Sequence, residues 1–139
     1  MFKRILLAVD GSKHSDLAVD HAVALAAAFQ ATLHVVHAYP QTSDLLGYED
    51  FERLVSRRKS AGQKILDTVR ERLESRGAAF QEDLLEGPEA EAILAAATAQ
   101  KVELIVMGTR GLGTIEGMLF GSVSRKVSQH AECPVMLIR

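Results

Sequence analysis

The sequence predicts an α/β protein, a three-layer sandwich in which a five-stranded parallel sheet lies between two layers of helices. Three observations predict it. The runs Ile5 to Val9 (ILLAV), Leu104 to Met107 (LIVM) and Val135 to Ile138 (VMLI) are apolar at every position, as strands covered on both faces require. Between the strands lie longer segments whose apolar residues recur at helical spacing. Strand and helix alternate along the chain, the order that builds parallel sheets.

Each element has its own signal. Asp10, Gly11 and Ser12 end the first strand with turn and cap chemistry. From Ser15 to Gln30, Leu17, Val19, Ala22, Val23, Leu25, Ala26 and Phe29 predict a helix, with Asp16 suited to its positive end. Thr32 to Ala38 (TLHVVHA) is a second strand, closed by Pro40. The polar, turn-rich segment from Gln41 to Glu49 predicts a mobile loop. Leu54, Val55, Ile65, Leu66, Val69 and Leu73 then give an amphipathic helix from about Phe51 to Arg76, with Gly77 at its C-cap. Phe80 to Leu85 is a weakly patterned third strand. Gly87 and Pro88 open a helix reaching about Gln100, because proline suits the first helical turn. After Leu104 to Met107 comes a segment from Gly108 to Gly121 with five glycines, then a helix from Ser122 to His130 and the last strand. With no linker or internal repeat, residues 1–139 read as one domain.

Composition narrows the function. Hydrophobic residues make up 47% and charged residues 24%, as in ordinary globular chains. A net charge of -2, 5% aromatic residues and no long basic tract argue against a nucleic-acid partner. Cys133 is the one cysteine, so no internal disulfide forms and no thiol pair is available for zinc; its place before Pro134 predicts a buried, inert thiol in a reducing compartment. Met1 leads through Lys3 and Arg4 directly into a strand, and no apolar run nears the roughly 18 residues of a membrane span. A cytoplasmic location with no membrane partner is expected.

In an open parallel sheet, ligands bind beyond the carboxyl ends of strands. Asp10, Gly11 and Ser12 stand at one such end, and Gly108, Thr109, Arg110 and Gly111 at another. Glycines at 108, 111, 113, 117 and 121 leave no Cβ to block close approach, so N–H groups can converge on an anion. Ser122 and Ser124 add hydroxyl donors where the next helix begins. Plainer readings stand beside these. A glycine-rich loop can be only a connection, and Asp10 alone reads as a cap for its turn. The GxGxxG reading fails because Gly111 and Gly113 lead to Glu116 after a late strand, and the P-loop lysine signature is absent. His34 and His37 lie three apart on a strand, so they face opposite sides and read as structural. His14, His21 and His130 read as surface or helix-end residues, and Arg57, Arg58 and Lys59 as a solvated helix face. Val135 to Ile138 leaves an edge of the kind that proteins pair or cover.

The spacing G-x2-G-x9-G-S, met by Gly108, Gly111, Gly121 and Ser122, is similar to the ATP-binding signature of the universal stress protein family. The blocks ILLAVDGS, LIVMGTRGLG, GSVSRKV and AECPVMLIR resemble that family in its order over essentially the whole chain. The resemblance implies an adenine nucleotide alpha hydrolase-like fold with strand order 3-2-1-4-5, and ATP as ligand with Mg²⁺ or Mn²⁺. It implies that Gly108, Thr109, Arg110, Gly111, Leu112 and Gly113 wrap the ribose and phosphates, and that Gly121, Ser122, Val123 and Ser124 close over the phosphate tail. Asp10 would face the ribose and the phosphate-bound metal, and backbone near Ala8, Ala38 and Met107 would border adenine. It also implies a homodimer through Val135 to Ile138. Glu103 departs from the aspartate the family often has there, and Glu116 puts an acid into the loop. The expected function is a nucleotide-dependent regulatory module of the stress response. The alternatives are a slow ATPase or self-phosphorylating enzyme in the same pocket, for which no general base is placed, and a nucleotide-free interaction protein.

Overall fold

The computed structural model describes residues 1–43, 45, 47–110 and 120–139. In chain order the elements are β1 (Arg4–Ala8), α1 (Lys13–Phe29), β2 (Thr32–Tyr39), α2 (Tyr48–Ser75), β3 (Phe80–Glu86), α3 (Glu89–Ala99), β4 (Leu104–Gly108), α4 (Ser122–His130) and β5 (Val135–Ile138). The strands form one sheet in the order β3-β2-β1-β4-β5, and every pairing is parallel.

Successive side chains of a strand point to opposite faces. Ile5 and Leu7 of β1 pack with Ala18, Val19 and Ala22 of α1 and with Leu66, Val69 and Leu73 of α2. Leu6 and Ala8 pack on the other face with Ala90, Ile93 and Ala97 of α3 and with Val127 of α4. That two-sided burial explains the unbroken apolar runs. β3 at the sheet edge alternates half-buried and exposed residues over most of its length, so its sequence pattern is weak.

Boundaries differ where caps decide them. α2 begins at Tyr48, earlier than the apolar pattern indicates, with Gly47 as its N-cap and Glu49 and Asp50 in the first turn, where the helix dipole favours acids. Pro88 is the N-cap of α3 instead of its first helical residue, and its carbonyl accepts from the Ala92 N–H at 2.9 Å. α4 and β5 have the expected bounds. Asp44 and Leu46 of the expected loop lie outside the described residues.

Glu103 has a local task. Its Oε1 accepts from the backbone N–H groups of Lys3 at 2.8 Å and Arg4 at 3.3 Å, tying the entry of β4 to that of β1. The Lys3 N–H, more than any other group, holds this carboxyl below the ordinary glutamate range, against the opposing effect of desolvation. A carboxyl lowered in the folded state stabilises the fold above its ordinary value, and that contribution disappears as pH falls through the lowered one. Glu103→Gln should therefore be less stable than the native chain at pH 7, with a gap that narrows toward pH 3. Urea midpoints at both pH values check this, and a gap that stays constant contradicts it.

Candidate functional site

The sheet order reverses between β1 and β4, and the carboxyl ends of an open parallel sheet form a crevice at such a point. A cleft of about 450 Å³ occupies it, within the range of small-molecule sites. The exits of β1, β2 and β4 and the start of α4 form much of its wall. They bring together Ala8, Asp10, Ala38, Met107, Gly108, Thr109, Arg110, Gly121, Ser122, Val123 and Ser124, all picked out from sequence. Gly111, Leu112, Gly113 and Glu116 lie outside the described residues.

Asp10 caps its turn and also lines the cleft. Its Oδ1 accepts from the Ser12 N–H at 2.9 Å, its own N–H donates to Ser15 Oγ at 3.0 Å, and Ser12 Oγ caps α1 by accepting from the Ser15 N–H at 3.2 Å. Thr109 joins the opposite wall to the sheet edge: its N–H donates to Ile138 O at 2.8 Å, and its carbonyl accepts from the Gly121 N–H at 2.6 Å. The same carbonyl accepts from Ser124 Oγ at 2.6 Å. The single hydroxyl hydrogen of Ser124 is thus spent inside the protein, which corrects its reading as a hydroxyl donor for a ligand. Ser122 is the exposed hydroxyl at this helix end.

Gly108 is glycine for a different reason than ligand approach. A Cβ there would lie 2.8 Å from His14 Cβ and 2.9 Å from the His14 carbonyl carbon, so the space belongs to the first turn of α1. His14 is correspondingly no mere surface residue. Its Nδ1 lies 3.1 Å from Thr109 Oγ1 and its Nε2 lies 3.1 Å from Arg110 Nη2.

Sequence reasoning missed the α2 wall. Arg58, Ala61, Gly62 and Ile65 line the cleft at helical spacing. Arg58 Nη1 donates to Gln41 O at 2.6 Å and to Thr42 Oγ1 at 3.1 Å, so this residue fastens the segment after β2 and is not simply a solvated cation. His37 is structural, as its Nδ1–H donates to Val9 O at 2.7 Å, yet it also borders the cleft. A Cβ on Gly62 would stand 2.9 Å from its ring, so the glycine lets α2 press against it. Burial, and next the bond from its hydroxyl to Glu86, push the Tyr39 phenol above its ordinary range. The stripe 58-61-62-65 was visible in the sequence, but nothing there shows which strand ends it overhangs. Away from the cleft, half-buried Cys133 has its thiol pushed up by burial, which keeps it poorly nucleophilic.

The helix ends differ electrostatically. α1, α2 and α3 each have acids in the first turn, Asp16 in α1, Glu49 and Asp50 in α2, and Glu89 and Glu91 in α3. α4 has none, and its N-cap Gly121 offers no side-chain acceptor. The first N–H groups of a helix have no partner within the helix itself, and Ser122, Val123 and Ser124 at this end line the cleft. A helix N-terminus without acids in its first turn leaves the positive end of the dipole free of local carboxylates on its own first turn.

Fold and cleft define a doubly wound α/β protein with a ligand crevice at its topological switch point. The model of the universal stress protein family matches residues 1–139, and the chain belongs to that family. A universal stress protein of Thermus aquaticus is 48% identical over 141 residues, covering 100% of both chains. The crystal structure of a universal stress protein in complex with cAMP is 30% identical with a TM-score of 0.74, covering 99% of this chain and 97% of that one. UspA from Lactobacillus plantarum, at 23% identity, superposes with a TM-score of 0.88 over 99% of this chain and 98% of its own. The fold is the adenine nucleotide alpha hydrolase-like one with strand order 3-2-1-4-5.

Gly108→Ala tests the packing of the cleft wall. The added methyl must displace α1 backbone, so the variant should lose about 1–3 kcal/mol of stability. Urea denaturation measures it, and an unchanged midpoint would show that α1 does not press on β4.

Proposed function

We propose that this chain is an ATP-binding regulatory module, whose cleft holds the nucleotide with its phosphates at the start of α4. The observation that supports this most is the N-terminus of α4, which has neither a capping side chain nor a first-turn acid and stands beside Thr109 and Arg110 on a cleft of nucleotide size. A relative at 30% identity crystallised with cAMP adds support for an adenine ligand. Ala8, Ala38 and Met107 offer apolar surface and backbone groups for the base, and Arg110 a fork of donors for phosphate. From the family signature alone, Gly111, Leu112 and Gly113 are further proposed to contact the ribose and phosphates. Asp10 is the carboxylate for a phosphate-bound Mg²⁺ or Mn²⁺. Among the described residues no group of three His, Cys, Asp or Glu is placed to hold a metal unaided, so phosphates and water would supply the other ligands.

Excess Mg-ATP at ~100 times its dissociation constant should add about 2.7 kcal/mol to stability. Thermal melts with Mg-ATP, Mg-ADP and cAMP measure it and rank the ligands. An absence of any shift, together with no nucleotide released from the denatured protein, defeats the proposal.

The same reading includes a homodimer through β5, at the end of the sheet. Val135, Met136 and Leu137 are only half-buried there, and Phe120, 40% exposed, borders the same recess as Val135 and Leu137. Among the described residues no helix is long and apolar enough to cross a membrane. The free Cys133 suits a reducing compartment, on which basis we assign the cytoplasm. Leu137→Lys should convert a dimer to a monomer in sedimentation velocity, and a native chain that sediments as a monomer refutes this assembly.

A further inference from the structure

We propose that His14 is a positioning residue for Arg110, a neutral strut that aims the guanidinium at the nucleotide's phosphates; this rests on the nucleotide reading above. Arg110 Nη2 and His14 Nε2 are 3.1 Å apart. A guanidinium can only donate, so Nε2 is the acceptor and the ring hydrogen sits on Nδ1. That hydrogen faces Thr109 Oγ1 at 3.1 Å. The imidazole is therefore gripped at both ends, with Arg110 at one and, at the other, a threonine 2% exposed.

The strut stands on a firm base. The backbone of His14 is pressed against Gly108, and that of Thr109 is bonded to Ile138 and Gly121. Arginine ordinarily loses much rotamer freedom when it captures a ligand, and a side chain already held in place loses less. The type of partner also matters. A carboxylate in the position of His14 would orient the guanidinium but cancel its charge. A neutral imidazole takes one of five N–H donors and leaves the positive charge to act on the cleft.

Calorimetric titration of Mg-ATP and adenosine into single and double variants tests this. Arg110→Ala should weaken Mg-ATP about tenfold or more and adenosine little. His14→Ala should weaken Mg-ATP severalfold with adenosine unchanged, and should have no further effect in an Arg110→Ala background. His14→Gln, whose side-chain oxygen reaches the level of Nε2, should restore Mg-ATP affinity, whereas the shorter His14→Asn should not. Unchanged or tighter Mg-ATP binding by His14→Ala, or equal losses for adenosine, overturns the inference while leaving the nucleotide site standing. A native chain that binds no adenine nucleotide overturns both. Nitrogen-15 shifts of the His14 ring in the nucleotide-free protein give a readout independent of binding. The expected ring has Nδ1 protonated, with an Nε2 shift that changes in Arg110→Ala; a ring protonated at Nε2 overturns the strut.

Discussion

A run of strand that is apolar at every position can be satisfied only by cover on both faces, and Ile5 to Ala8 of β1 imposes that condition on the whole molecule. Ile5, Leu6 and Leu7 are fully buried, the odd positions against α1 and α2 and the even ones against α3 and α4. The sheet must then be parallel, since helices on both faces are what return the chain to start each new strand in the same direction. Apart from His34 and His37 within β2, the buried polar residues Ser12, Ser15, Thr109 and Ser124 stand near the ends of strands and helices. β1 pairs with β2 on one side and β4 on the other, so the exits of these three strands form one rim, where the cleft lies.

Along that rim the charge pattern is uneven. The acids at the starts of α1, α2 and α3 answer the positive ends of their helices from within the protein. At α4 neither the first turn nor the N-cap residue supplies an acid or a capping side chain among the described residues. The start of a helix carries partial positive charge, and at α4 it lies on the same cleft as Arg110. Asp10, an acid, lines the same cleft.

The sequence made the sheet legible because burial on both faces writes itself as unbroken apolar runs, and it made the site legible as far as backbone chemistry and strand ends go. α4 and β5 were readable to the residue, since Gly121 and Pro134 bracket them clearly. What it hid depends on contacts between distant segments. His14 and Arg110 are 96 positions apart, and no local pattern joins them. The glycine at 108 looked like room for a ligand, but α1 fills that room. Ser124 looked like a donor to the cleft, but the Thr109 carbonyl takes its hydrogen. Arg58 looked like one of three solvated cations until α2 was seen to overhang the cleft.

Two of these corrections share a direction: Gly108 and Ser124, read from sequence as serving a ligand, brace the scaffold, and the bracing itself suits a binding site. The bonds from Gly121 N–H and Ser124 Oγ to the Thr109 carbonyl pin together the two ends of the glycine-rich segment. Loop closure costs entropy, and here the fold meets that cost before any ligand arrives. A ligand bound between β4 and α4 then spends its contacts on affinity instead of on drawing two strands of chain together, which is the advantage of a preorganised site. The same residue links the cleft to the sheet edge, because the Thr109 N–H donates to the Ile138 carbonyl at the end of β5. Thr109 thus braces the cleft wall from both sides, through its carbonyl to the start of α4 and through its N–H to the last residue of β5.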